Sequence, residues 1–200
     1  MNKLFEVNNK VIYDIDTTIL TTSSFNYTND AIYYINNNCI VITKNRTTTN
    51  FDIPEDLYAL FSLEELKNKK DLTEFDELKL KILSCLNSNN KIFVFMNVLT
   101  YLDSDFKEKV IRYLKLGSKR IINYTTDIEE TLLLDYIVVI HENKIIMEGK
   151  KELVLQEEKI LKKLGFHLPF VVELSNGLKY YGLVTKTYFN NKELVNDLWK

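Results

Sequence analysis

Glycine is scarce in this 200-residue chain, and all five, Gly117, Gly149, Gly165, Gly177 and Gly182, lie beyond residue 116. A loop that cradles phosphates needs glycines, because its backbone takes positive φ and approaches the anion closely. The first 116 residues therefore hold no intact loop of that kind. Cysteine is limited to Cys39 and Cys85, in apolar surroundings and without metal-ligand spacing, so both read as reduced core thiols. His141 and His167 lie in apolar strand and loop settings with no second ligand nearby, which makes their roles structural. Long apolar runs are also missing. The stretch 132–140 is too short to span a bilayer and carries Asp135, so membrane association is expected only through a partner. The first residues, Met1-Asn2-Lys3-Leu4-Phe5-Glu6, show no long apolar region or cleavage site, which argues against secretion. A formal charge of −2 gives no pull toward nucleic acid.

What is present is an ordinary folding composition, with 46% hydrophobic and 27% charged residues, enough for one large domain or a domain with an appendage. The chain is organised around residues 91–103. The run 91–96 opens with the cation Lys91 and continues through apolar and aromatic residues too few for a helix, and the sequence turns polar between Thr100 and Asp103. That pattern predicts a strand buried on both faces, followed by a loop at the end where open α/β sheets place their ligands. Upstream, the runs 4–7, 11–15, 18–24, 31–35 and 39–43 predict strands, with Asn8-Asn9, Asn29-Asp30 and Asn36-Asn37-Asn38 as turns. They form a small mixed or antiparallel N-terminal β layer. Residues 39–43 lead into Lys44-Asn45-Arg46-Thr47-Thr48-Thr49, which reads either as a solvated loop or as a remnant of a phosphate site.

Pro54 and two acids open a helix through 57–61, Ser62 is expected to cap a second, and Thr73-Glu74-Phe75-Asp76 opens a third, from about residue 77 to 87. Ser104 or Asp105 is expected to cap the helix that carries Phe106, Val110, Ile111 and Leu114, with Gly117 just past its end. A strand at 120–125, a short helix at 128–134, a hairpin over 136–148 and a helix over 151–163 follow.

This order resembles the second half of an ABC-transporter ATPase. Leu72 to Asp76 stand at the position of the family's signature, Met96-Asn97 at that of the Walker B aspartate and catalytic glutamate, and Leu102-Asp103 at the D-loop. Thr125-Thr126-Asp127 resembles the Thr-His-Asp switch with the histidine gone. Residues 164–174, with the following helix and Glu193-Leu194-Val195, are similar to the C-terminal extension of energy-coupling factor (ECF) transporter ATPases, which in that family helps hold the ATPase pair together. Phe25-Asn26-Tyr27 looks like an adenine-stacking loop and 39–49 like a collapsed Walker A.

The resemblance covers residues 63–200 and rests on order and spacing. It implies a P-loop NTPase-like α/β fold: a truncated core over 1–150, with the β layer in about 1–50, and an extension over 151–200. The interval between Thr49 and Leu72 is shorter than the family's, which implies that the glutamine loop and most of the helical subdomain are missing.

Tyr27, Lys44, Thr47, Thr48 and Thr49 are the candidate nucleotide-binding remnants. Thr73, Glu74, Asp76, Met96, Asn97, Asp103 and Thr126 are altered motif positions, and no residue is expected to be catalytic. No cofactor is expected. The resemblance implies a degenerate subunit at the cytoplasmic face of a membrane, associating with another ABC-type ATPase or itself, and with a transmembrane coupling subunit as a further candidate partner. The alternative is an ATP- and Mg-binding subunit whose hydrolysis is completed by a partner.

Overall fold

The structure, a computed structural model, describes residues 3–7, 10–13, 15–22, 33–34, 39–44, 52–142 and 144–199. The turns at 8–9, 29–30 and 36–38, the loop Phe25-Asn26-Tyr27 and the threonines Thr47, Thr48 and Thr49 lie outside the described residues. The chain divides into two compact units, residues 1–16 with 32–125, and residues 17–31 with 126–200.

In the first unit, β1 (Lys3–Val7) and β2 (Lys10–Tyr13) form an antiparallel pair. In the second, β3 (Thr17–Thr21) is buried along its whole length. Back in the first, β4 (Tyr33–Tyr34) pairs antiparallel with the other edge of β1, giving the order β2-β1-β4. Of the five runs expected to form one N-terminal layer, those of β1, β2 and β4 pair in it among the described residues, whereas β3 and the run 39–43 lie parallel to strands from later in the chain. β5 (Cys39–Thr43) is followed by α1 (Glu55–Phe61), a 3-10 turn at Glu64–Asn68 and α2 (Glu74–Leu86). The chain then enters β6 (Ile92–Met96), crosses through α3 (Ser104–Leu116) and returns as β7 (Arg120–Thr125). β6 lies between β5 and β7 and is parallel to both, with Cys39 opposite Ile92, and Ile92 opposite Arg120. All five of its residues are buried, which is why it carries no polar alternation. Ile82, Leu83 and Leu114, fully buried, come from the covering helices, and the rings of Phe61 and Phe106 meet at a tilt of 56° with their centres 5.5 Å apart.

In the second unit, β3 runs parallel to β8 (Tyr136–His141), which turns through Glu142, at φ 46°, into the antiparallel β9 (Lys144–Lys150). The helices α4 (Lys151–Val154), α5 (Glu158–Lys163), α6 (Phe170–Tyr180) and α7 (Asn191–Leu198) complete it. Leu20, Ile137 and Val139 of the strands share one core with Leu161, Val171, Val172 and Leu194 of the helices. α5 ends where Gly165 takes φ 87°, letting the Phe166 amide donate to the Leu161 carbonyl at 3.0 Å. Tyr188 is buried, and a hydrogen bond to Asp197 pushes its phenol up to about 12.

Several expected boundaries are corrected. Ser62 does not start a helix; it ends α1 at φ 58°, and its amide donates to the Ala59 carbonyl. Asp103, rather than Ser104 or Asp105, caps α3. Gly117 is itself the C-cap at φ −78°, and the left-handed turn falls on Ser118 at φ 52°. The segment 128–134 is a 3-10 turn over Ile128–Leu132. The helix expected over 151–163 breaks between α4 and α5. On one continuous helix Leu155 and Leu161 would point about 120° apart, and both are buried in the same core. The break lets them face it together.

Candidate functional site

The carboxyl ends of β5 and β6 bring most of the sequence-predicted residues of the first unit to one place. Lys44 leaves the end of β5, and its ammonium lies 3.4 Å from the Glu74 carboxylate and 4.5 Å from the centre of the Tyr101 ring. Lys81 of α2 donates to the Thr43 carbonyl, which fixes α2 beside the end of β5. The cation is therefore directed, by an acid and an aromatic ring, with no glycine loop involved. Contacts this exposed contribute about 0–1 kcal/mol each.

The N-terminus of α2 is closed by its own side chains. Thr73 accepts from the Asp76 amide at 3.2 Å while the Asp76 carboxylate accepts from the Thr73 amide at 3.0 Å, a reciprocal capping box. Lys69 donates to the same carboxylate at 2.6 Å. This Lys69 bond, followed by the Thr73 amide, holds Asp76 at about 2, below its ordinary 3.8. Glu74 and Asp76 thus place two negative charges at the positive end of the helix, where an anion would otherwise dock.

The lowered value makes a pH prediction. A carboxylate depressed on folding adds stability that is complete above its ordinary 3.8 and lost as pH falls toward about 2. The stability advantage of the wild type over Asp76→Asn is expected to shrink by about 1–2 kcal/mol between pH 5 and pH 2, after discounting for solvent screening. Urea denaturation at the two pH values measures it. An advantage that does not change would mean that the Lys69 and Thr73 contacts do not hold the carboxylate.

At the end of β6, Met96 is 5% exposed. A thioether is a soft, uncharged group and has no affinity for a hard divalent cation. Asn97 takes φ 53°, a conformation that asparagine tolerates better than most residues, and its amide donates to the Tyr124 carbonyl at 2.7 Å. The turn after β6 is thereby tied to β7. Asp103 accepts from the Phe106 amide at 2.9 Å and from Lys79 at 2.6 Å, and the Lys79 bond holds its carboxyl below the usual range. Thr126 is exposed at the start of the 126–200 segment of the second unit.

The predicted residues Lys44, Thr73, Glu74 and Asp76 therefore meet in one polar cluster, with Met96, Asn97 and Asp103 on the chain that leaves β6. Tyr27, Thr47, Thr48 and Thr49 are not among the described residues. Sequence reasoning missed Tyr101, Lys69 and Lys79. Tyr101 is 57 residues from Lys44, and no local spacing announces that contact.

A mixed α/β fold with parallel strands is the architecture of P-loop ATPases of the ABC type. Among solved structures it is shared by CbiO1 of Clostridium perfringens, described as part of the ABC transporter complex CbiONQ, with a TM-score of 0.56 and 16% identity over 81% of this chain and 92% of that one. In sequence, the chain is 34% identical over 126 residues to the energy-coupling factor transporter ATP-binding protein EcfA1 of Mesomycoplasma hyopneumoniae strain J, covering 61% of this chain and 45% of that protein. It is 27% identical over 156 residues to EcfA1 of Ureaplasma parvum, covering 75% and 53%. No family model matches the chain. The chain spans about half the length of these curated relatives. The resemblance to ECF-type ABC ATPases, first drawn from motif order, thus holds in sequence and in fold. Among the described residues no helix is long and apolar enough to cross a membrane.

Proposed function

We propose that this chain is a catalytically silent ATPase-like subunit of ECF type, which acts by protein association in a transporter assembly. The observation that carries this reading is the end of β6, where Met96 is buried and Asn97 left-handed, at the two positions where the resemblance would put acids. ABC-type hydrolysis needs a carboxylate near the metal, a carboxylate to orient water and a cradle for the phosphates. The residues here do not fit Mg·ATP: Met96 offers no hard ligand, Asn97 cannot take a proton, and Lys44 is engaged by Glu74. Two carboxylates at the start of α2 repel a phosphate. Losing positioning, metal and base together removes most of the catalytic effect.

The partners on this reading are another ABC-type ATPase or a second copy, with a transmembrane coupling subunit as a further one, at the cytoplasmic face of the membrane. Association is supported by apolar side chains left exposed on the C-terminal helices, Phe170, Tyr181 and Trp199 among them.

Isothermal titration with Mg·ATP, and with ATP plus chelator, tests the reading together with a phosphate-release assay. No heat at millimolar nucleotide and no turnover are expected. Heat that persists without Mg²⁺ and disappears in Lys44→Ala, Tyr27→Ala would instead identify an ATP-binding subunit whose hydrolysis is completed by a partner. Turnover by the isolated chain would overturn the proposal.

A further inference from the structure

We propose that a groove in the second unit, between residues 185–188 and α7, is a binding site for a free amino acid with a cationic side chain. The groove has a volume of about 530 Å³, in the range of small-molecule sites, and is lined by Thr185, Lys186, Tyr188, Glu193, Asn196 and Asp197. All six belong to the second unit, and none takes part in the cluster around Lys44.

Both walls are held by local structure. Along one, Val184 and Tyr188 are buried in the core of the unit, and the Thr187 hydroxyl donates to the Asn176 side chain of α6 at 2.7 Å. Along the other, Asn190 caps α7 by accepting from the Lys192 and Glu193 amides, and Leu194 is buried. Glu193, Asn196 and Asp197 then follow at helical spacings of three and four residues from Glu193, so they share the face of α7 that lines the groove.

The lining carries charge of both signs. Lys186 holds its ammonium 4.9 Å from the centre of the Tyr188 ring, and Asp197 accepts the hydrogen bond of that ring's hydroxyl. Lys186 forms no ion pair among the described residues, so the cation over the ring and the acid at its edge face one groove without neutralising each other. Glu193 lies one turn from Asp197, where like charges repel, and both acids act on the Tyr188 phenol. Two carboxylates against one ammonium leave the groove with one negative charge in excess.

The complement of this lining is a molecule with two cationic groups and one carboxylate. In a basic amino acid the carboxylate meets Lys186 beside the Thr185 hydroxyl, the α-ammonium meets Asp197, and the side-chain cation meets Glu193. The Asn196 amide offers a further donor and acceptor. A simple diamine leaves Lys186 unanswered, and an apolar amino acid leaves Glu193 unanswered.

Isothermal titration of the chain with L-lysine, cadaverine and L-norleucine is the test. Cadaverine keeps lysine's two amines without the carboxylate, and norleucine keeps its ammonium and carboxylate without the side-chain amine. Lysine is expected to bind at millimolar concentration or below, and each analogue at least about tenfold more weakly. Glu193→Gln is expected to remove lysine's advantage over norleucine, and Lys186→Gln its advantage over cadaverine. Both side chains are exposed, so neither substitution disturbs the core. No heat with millimolar lysine overturns the proposal. Equal binding of lysine and cadaverine to the wild type overturns it too, since that is an acidic surface gathering cations, and so does lysine binding that both substitutions leave unchanged.

Discussion

Replacing Phe93 with alanine is expected to lower the stability of the chain by about 3–5 kcal/mol, measured as the shift of the urea denaturation midpoint. Phe93 has no exposed surface, and it sits in the middle of the parallel trio with Ile40 of β5 on one side and Ile121 of β7 on the other. Neither neighbour can collapse into the space, because both are held in register by backbone hydrogen bonds. The loss therefore combines the transfer free energy of the ring with the cost of the cavity it leaves. Phe75→Ala supplies the contrast. That ring lies in the first turn of α2 and is 56% exposed, so its removal is expected to change stability by less than about 1 kcal/mol. A small effect at Phe93 would mean that β6 is not the buried centre of its unit.

How much of this could be read in the sequence depends on how local the cause was. β5 was legible to the residue, and β6 to within one, because each is a short apolar run bounded by polar residues. The hairpin of β8 and β9 was legible in the same way, from two apolar runs in succession. Thr73, Glu74 and Asp76 announced a helix start by their residue types, and the helix begins at Glu74, ahead of the expected 77, because Thr73 and Asp76 close a capping box. Ser62 misled, since serine caps helices through its side chain but here ends one through its backbone, with Leu63 and Leu66 drawn into the core behind it. The break after α4 follows from a core that the local pattern does not contain. Lys44 shows the same limit at the candidate site. Its charge was visible, and its direction was set by Glu74 and Tyr101, which only the fold brings near. The fold class was legible through the order of motifs.

Placing an acid at the end of β6 is expected to harm the protein. Met96 is 5% exposed, and an aspartate there would be a carboxylate in an apolar environment. Met96→Asp is expected to cost about 3 kcal/mol or more at pH 7. Burial disfavours the charged form and raises its folded pKa above the unfolded value, so stability falls as pH rises through the interval between them. The variant is accordingly expected to be less impaired at pH 4 than at pH 7, which separates a buried charge from a simple loss of packing. In a chain that still held a metal-nucleotide site, Mg·ATP would bind the new carboxylate and recover stability in proportion to its occupancy. Here Asn97 is tied to Tyr124, Lys44 to Glu74, and the start of α2 carries two acids. Millimolar Mg·ATP is therefore expected to return less than about 0.5 kcal/mol of the loss, a recovery that corresponds to ligand near or below its dissociation constant. Recovery of several times that amount would mean that one substitution had silenced an otherwise intact site. Its absence would place the loss in the whole arrangement around β6, with the fold kept for the contacts it makes.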